Sequence, residues 1–131
     1  MDINLDIKGS SGEVLTVKVC VEQEVLIWYF SGDLVYGTVT EKFSELRKLR
    51  SVKLSGNQNK KSKEKGNIWS IDCRRIKHLD SCGVAFLLSC VRYAKDNKLK
   101  LQLIDLPESI YPLLQVQGID DLLLPLVRDV L

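Results

Sequence analysis

The residues with the most chemical potential fall in one short stretch, His78-Leu79-Asp80-Ser81-Cys82-Gly83. Ser81 and His78 together suggest nucleophilic catalysis, but that chemistry needs a carboxylate to orient the imidazole, and none is obviously placed to do so. Asp72 and Asp80 flank the same stretch. Two carboxylates without a metal motif are a weak acid/base signal. Metal binding needs ligands at close spacing, yet no two of Cys20, Cys73, Cys82 and Cys90 have zinc-knuckle spacing, and His78 has no second histidine. There is no glycine-rich phosphate loop and no serine with the flanking glycines of a nucleophile elbow. The expectation is therefore a protein with no enzymatic activity, no metal and no cofactor. Buried thiols in a reducing compartment behave as small apolar side chains, so no structural disulfide is expected either.

What remains at this stretch is the start of a helix. Asp80 or Ser81 can cap it by accepting a backbone N–H from the first turn, an interaction worth about 1 kcal/mol. A serine hydroxyl at the positive end of a helix is also placed to bind or carry an anion. Phosphorylation there adds nearly two negative charges and changes which partner fits.

The elements that must position this stretch can be read from periodicity. Val14 to Val21 alternates apolar and polar residues as a half-buried strand, and Val25 to Phe30 is a buried strand bounded by Ser31-Gly32-Asp33. From about Leu34 to Leu49 the apolar residues Val35, Val39, Phe43, Leu46 and Leu49 make one face of a helix, with Glu41, Lys42, Glu45 and Lys48 pointing away. Asn67 to Asp72 reads as a short strand, and Cys82 to about Ala94 as a helix that starts buried and turns amphipathic. Leu99, Leu101 and Leu103 alternate with Lys100 and Gln102 in another strand. Pro107 opens a last helix through Ile110, Leu113, Leu114 and Gln117, which Gly118 stops, leaving a short apolar tail. The order β-β-α-β-α-β-α implies an α/β fold, a single mixed sheet covered by helices.

The 131 residues suffice for one domain, 1–131, with its own core. The net charge of +2 is unevenly held. Segment 51–66 carries Lys53, Lys60, Lys61, Lys63 and Lys65 against Glu64 alone, so the body is mildly acidic. These lysines sit among Ser, Gly, Asn and Gln with no aromatic, which reads as a solvated flexible loop and not as a nucleic-acid-binding face. A weak attraction to anionic lipid headgroups is the functional alternative for this loop. The longest apolar run, Val25 to Phe30, is far short of a bilayer span, and the N-terminus lacks a secretory signal, so a cytoplasmic protein is expected.

The stretch from Ile68 to Leu88, with Asp72 at its strand and Asp80-Ser81-Cys82-Gly83 ahead of an apolar helix, resembles the signature of STAS domains, named after sulfate transporters and anti-sigma factor antagonists. Lys98 to Leu103 and Gly118 to Leu123 are similar to the closing strand and final helix end of that family, so the resemblance spans about residues 14–125 apart from the lysine-rich insertion. Ser31 to Val39 and Ile119 to Pro125 are more similar to the MlaB-type branch. That branch implies a cytosolic subunit of an ABC transporter moving phospholipid between the membranes of Gram-negative cells and maintaining outer-membrane lipid asymmetry. It would bind the ATPase subunit, one copy each, and support its assembly and activity, touching the membrane only through the complex. The other branch implies an anti-sigma factor antagonist whose Ser81 is phosphorylated by an anti-sigma kinase. Cys82, where antagonists often carry a second serine, favours the transporter branch. On either reading the partner-binding residues are Ser81, Asp80, Cys82, Gly83 and His78, with Lys77, Arg74, Thr38 and Lys42 as the neighbouring interface.

Overall fold

The computed structural model describes residues 2–23, 25–50, 68–116, 118 and 123–128; the lysine-rich segment 51–66 and residues 119–122 lie outside the described residues. Strands β1 (Ile3–Lys8), β2 (Val14–Glu22) and β3 (Val25–Leu34) are followed by helices α1 (Tyr36–Val39) and α2 (Phe43–Leu49). Then come β4 (Ile68–Leu79), α3 (Ser81–Asp96), β5 (Lys100–Ile104), a 3₁₀ turn at Glu108–Ile110, α4 (Tyr111–Val116), a second 3₁₀ turn at Leu124–Leu126 and β6 (Val127–Arg128). The strands form one six-stranded sheet in sequential order β1 to β6. β1, β2 and β3 pair antiparallel, whereas β3 to β6 pair in parallel. This is the mixed α/β sheet expected.

A sequential parallel order constrains the layers. Crossovers between parallel strands are almost always right-handed, so successive crossovers stepping in one direction put their helices on one face of the sheet. Accordingly Leu15, Val17, Leu26, Trp28, Phe30, Trp69, Ile71, Leu101 and Leu103 from the strands join Val39, Leu46, Val84, Leu87, Cys90 and Leu114 from the helices in one core. Within it the rings of Phe86, Phe30, Trp28, Trp69 and Tyr93 meet edge to face in sequence, with centroids 5.2–6.2 Å apart. Such pairs add about 0.5–1.5 kcal/mol each beyond their burial. Residues of opposite parity, including Thr16, Lys18, Tyr29, Asp72 and Arg74, line a polar groove on the other face.

Several elements depart from the periodicity reading, each for a physical reason. Ile3, Leu5 and Ile7 alternate with polar residues over only six positions, and this edge strand exists because Ile3 to Lys8 pairs with Val19 to Val14. β3 does not stop at Phe30. It continues through Ser31-Gly32-Asp33 to Leu34, crossing two register shifts against β4, with Gly32 at φ +110. A Cβ on Gly32 would meet the Val14 carbonyl oxygen at 2.2 Å, so only glycine lets β2 and β3 pass here. The single helix expected over 34–49 is two helices, broken at Thr40, whose hydroxyl donates to the Tyr36 carbonyl at 2.6 Å. Across the break Leu46 is fully buried, while Phe43, which one continuous helix would have turned inward, is 42% exposed. β4 is twice the expected length, so His78 belongs to a strand and only Asp80 lies between strand and helix. The apolar tail supplies β6, which pairs with Leu103 and Ile104.

Candidate functional site

The C-terminal ends of parallel strands are where open α/β sheets present their sites, because helices start there with unpaired N–H groups. Here β3 and β4 end side by side, with Asp33 opposite His78 and Leu34 opposite Leu79. α1 starts from the end of β3 and α3 from the end of β4.

Asp80 is the N-cap of α3, in extended conformation, and its Oδ1 accepts the Gly83 N–H at 2.9 Å. The alternative cap is thereby settled: Ser81 is the first helical residue, and it is exposed. The other oxygen of Asp80 accepts the N–H of Tyr36, the first residue of α1, at 3.0 Å. One carboxylate thus holds the starts of two helices, reaching Tyr36 across 44 residues of chain. Gly83 is required by the same geometry. A Cβ there would sit 2.1 Å from the Leu34 carbonyl oxygen and 2.6 Å from Leu79 Cδ1, so α3 packs directly on the main chain ending β3.

Asp33, which the periodicity reading treated only as a strand boundary, ties the corner from the other side. Its Oδ1 lies 2.7 Å from His78 Nδ1 and its Oδ2 accepts the Val14 N–H at 3.1 Å. The bond to His78, then that from Val14, holds the carboxyl below the usual carboxylate range. A carboxylate does therefore orient the imidazole, but among the described residues no hydrogen bond joins His78 to the Ser81 hydroxyl. The constellation is a carboxylate–imidazole pair beside, and separate from, an exposed serine. Nothing in the local pattern signalled Asp33, because its partner lies 45 residues away.

Lys77 and His78 are exposed beside this corner. Thr38, expected at the interface, is instead fully buried. Its hydroxyl donates to the Asp33 carbonyl at 2.6 Å and accepts the Val35 N–H at 3.2 Å, so it builds the β3–α1 turn from inside. Arg74 is not at the corner either. It sits six residues before Asp80 on an extended strand, about 20 Å away by strand rise, and lines the open-face groove. There its guanidinium closes over Asp72 at 2.7 Å. Burial alone would raise the Asp72 pKa, but the hydrogen bonds from Arg74 outweigh it and hold the carboxyl low. Lys42 precedes α2 and pairs with Glu45 at 3.6 Å on the surface. Of the cysteines, Cys20, Cys73 and Cys90 are buried and Cys82 is half-buried. Burial pushes the Cys90 thiol up to about 12 and the Cys73 thiol well above its ordinary value.

Asp33 and Asp72 predict a pH dependence. Both carboxyls have lower pKa values folded than unfolded, so their contribution is present above the unfolded value near 3.8 and is lost as pH falls through the folded values. Urea midpoints should fall steeply below about pH 4, and Asp33→Asn with Asp72→Asn should flatten that fall while lowering stability at pH 7. An unchanged acid limb in the double variant would contradict this assignment.

The fold is shared with solved structures of low sequence identity. The structure of the anti-sigma factor antagonist SpoIIAA in its unphosphorylated form superimposes with a TM-score of 0.59 at 15% identity, covering 88% of each chain. That of the Bacillus cell fate determinant SpoIIAA in its phosphorylated form gives 0.57 at 15% identity, covering 88% of this chain and 91% of the other. No curated protein sequence matches significantly. The family model described as "Mlab, STAS domain" matches residues 44–127, and the chain belongs to the STAS domain family. Membership supports a role in binding partner proteins.

Proposed function

We propose that this protein is a non-enzymatic STAS subunit that binds and supports the ATPase of an ABC transporter moving phospholipid between membranes. The observation that carries this reading is the corner itself. An exposed Ser81 opens a 16-residue helix, and the carboxylates around it are engaged in holding main chain and an imidazole. Such a corner is built to be docked against. The description of the matching family model supports the transporter branch, as does Cys82 in the motif. In this reading the protein works in the cytoplasm at the inner membrane, attached through its complex. Ser81 and the first turn of α3 pack on the ATPase, with Lys77 and His78 in the polar rim.

The test is capture of the purified ATPase subunit from the same host. The wild-type protein is expected to retain it, and Ser81→Arg or Ser81→Glu to lose it, because a long or charged side chain stands where the two surfaces close. Retention by both variants would overturn the site.

A second reading is favoured by the likeness to SpoIIAA in both phosphorylation forms. There the same corner is an anti-sigma kinase substrate, and Ser81 carries the phosphate at the positive end of α3. Incubation with such a kinase and ATP, followed by intact mass, distinguishes the two. A single phosphate lost in Ser81→Ala supports the antagonist role.

A further inference from the structure

We infer that the groove on the open face of the sheet binds a phosphate ester, with Arg75 and Lys18 as its cationic contacts; this stands independently of the function proposed above. The groove encloses about 450 Å³, the size of a small-ligand site, and the helices pack on the opposite face. Its arginines are brought together by an irregularity in β4. Tyr29 pairs with Asp72 and Ser31 with Arg75, so Cys73 and Arg74 together stand opposite Phe30 alone. The extra residue is a β-bulge, a device that re-aims the side chains around it. Cys73 and Ile76 are buried in the core, while Arg74 and Arg75 between them are both exposed and both line the groove. Strict alternation would have turned one of the two inward.

Charge and register then select the ligand. Asp72 keeps its negative charge while it accepts from Arg74, so these two offset each other. Arg75 makes no ion pair among the described residues, and Asp72 acts on it only at longer range. Lys18 pairs with Asp2 at 3.6 Å, half in water, where such a pair has little strength. Glu22, the other carboxylate of the groove, is charged too. It stands six residues along β2 from Thr16, which shares a row with Ser31 and Arg75, about 20 Å away by strand rise. Asp6 ends that row on β1, three strands and about 14 Å from Arg75. Both backbone spacings exceed the screening length of about 8 Å at physiological salt. Around the exposed Ser31, then, stand Arg75 beside it on β4 and Lys18 diagonally across on β2. Donors from three strands around one point suit a tetrahedral oxyanion, and a guanidinium meets phosphate through two parallel N–H bonds.

The test titrates the full chain at physiological salt with glycerol 3-phosphate and with acetate, and measures co-sedimentation with phosphatidylcholine vesicles with and without phosphatidylglycerol. Binding to a phosphate ester is expected to weaken about tenfold or more in Arg75→Gln, the loss of a charge-assisted contact, and to weaken also in Lys18→Gln. Arg92→Gln removes the same charge from an exposed position on α3 and should change the affinity less than about twofold. Asp72→Asn should tighten binding about threefold, because Arg74 is then no longer offset. Arg75-dependent binding of glycerol 3-phosphate marks a soluble ester as the source. Arg75-dependent binding confined to vesicles with phosphatidylglycerol marks a lipid headgroup. No saturable binding of either probe, an equal loss in Arg92→Gln and Arg75→Gln, or acetate bound as tightly as the ester would overturn the inference.

Discussion

Replacing Gly83 with alanine should destabilise the protein by about 3 kcal/mol, although alanine is the better helix former. In an unobstructed helix interior the same exchange stabilises by about 1 kcal/mol, because glycine loses more backbone freedom on folding. Here the added methyl would stand 2.1 Å from the Leu34 carbonyl oxygen and 3.0 Å from its carbon, far inside contact distance. The obstacle is main chain in the last residue of β3, so it cannot turn aside as the tip of a side chain does. Either α3 lifts away from β3 or the β3–β4 pairing at Leu34 and Leu79 gives, and overpacking of this kind costs about 1–3 kcal/mol or more. The two effects have opposite sign, so a urea midpoint read at constant m decides between them. A midpoint above wild type would mean that α3 does not sit on β3 as described.

The second large effect is expected at Asp80. Asp80→Ala removes the acceptor for Gly83 N–H and for Tyr36 N–H together and should cost about 2 kcal/mol, roughly twice a single cap. Asp80→Asn is the informative variant. Aspartate and asparagine are about equally good N-caps when only one acceptor is used. An amide, however, offers one acceptor oxygen and turns an NH₂ toward the second N–H, so asparagine should recover only about half of the loss. Part of any Asp–Asn difference comes from the helix dipole, which salt screens. Repeating the measurement at high salt isolates the bridging bond, which should persist. Equal stability of Asp80→Asn and wild type in high salt would show that the carboxylate serves one helix only.

These two residues show what the sequence could and could not convey. The motif Asp80 to Gly83 was legible because a capping residue, a polar first turn and an apolar helix are all local signals. Strands β2, β3, β4 and β5 and helix α3 were legible from periodicity for the same reason, although β3 and β4 run on well past where it ended them. The role of Gly83 was not, since what forbids a side chain there is the carbonyl of residue 34, brought in by the fold. Thr38 was expected at the neighbouring interface, whereas the break at Thr40 and the contact to Asp33 turn it inward. Arg74 lay near the motif in sequence, but an extended strand carries it far away and onto the opposite side of the sheet from the core. Asp33 and Tyr36 gain their meaning only when β3 and β4 end together.

The sequential strand order has one further result, at the two margins of the sheet. A margin with free N–H and C=O groups invites a strand from another copy. At one margin, among the described residues, lies β6, Val127–Arg128. At the other, β1 alternates Asn4, Asp6 and Lys8 with its apolar residues, and mixed charge along such a margin disfavours recruitment. The β1 margin is thereby guarded by the chain's own side chains, and copies brought close together are not invited to join their sheets along it.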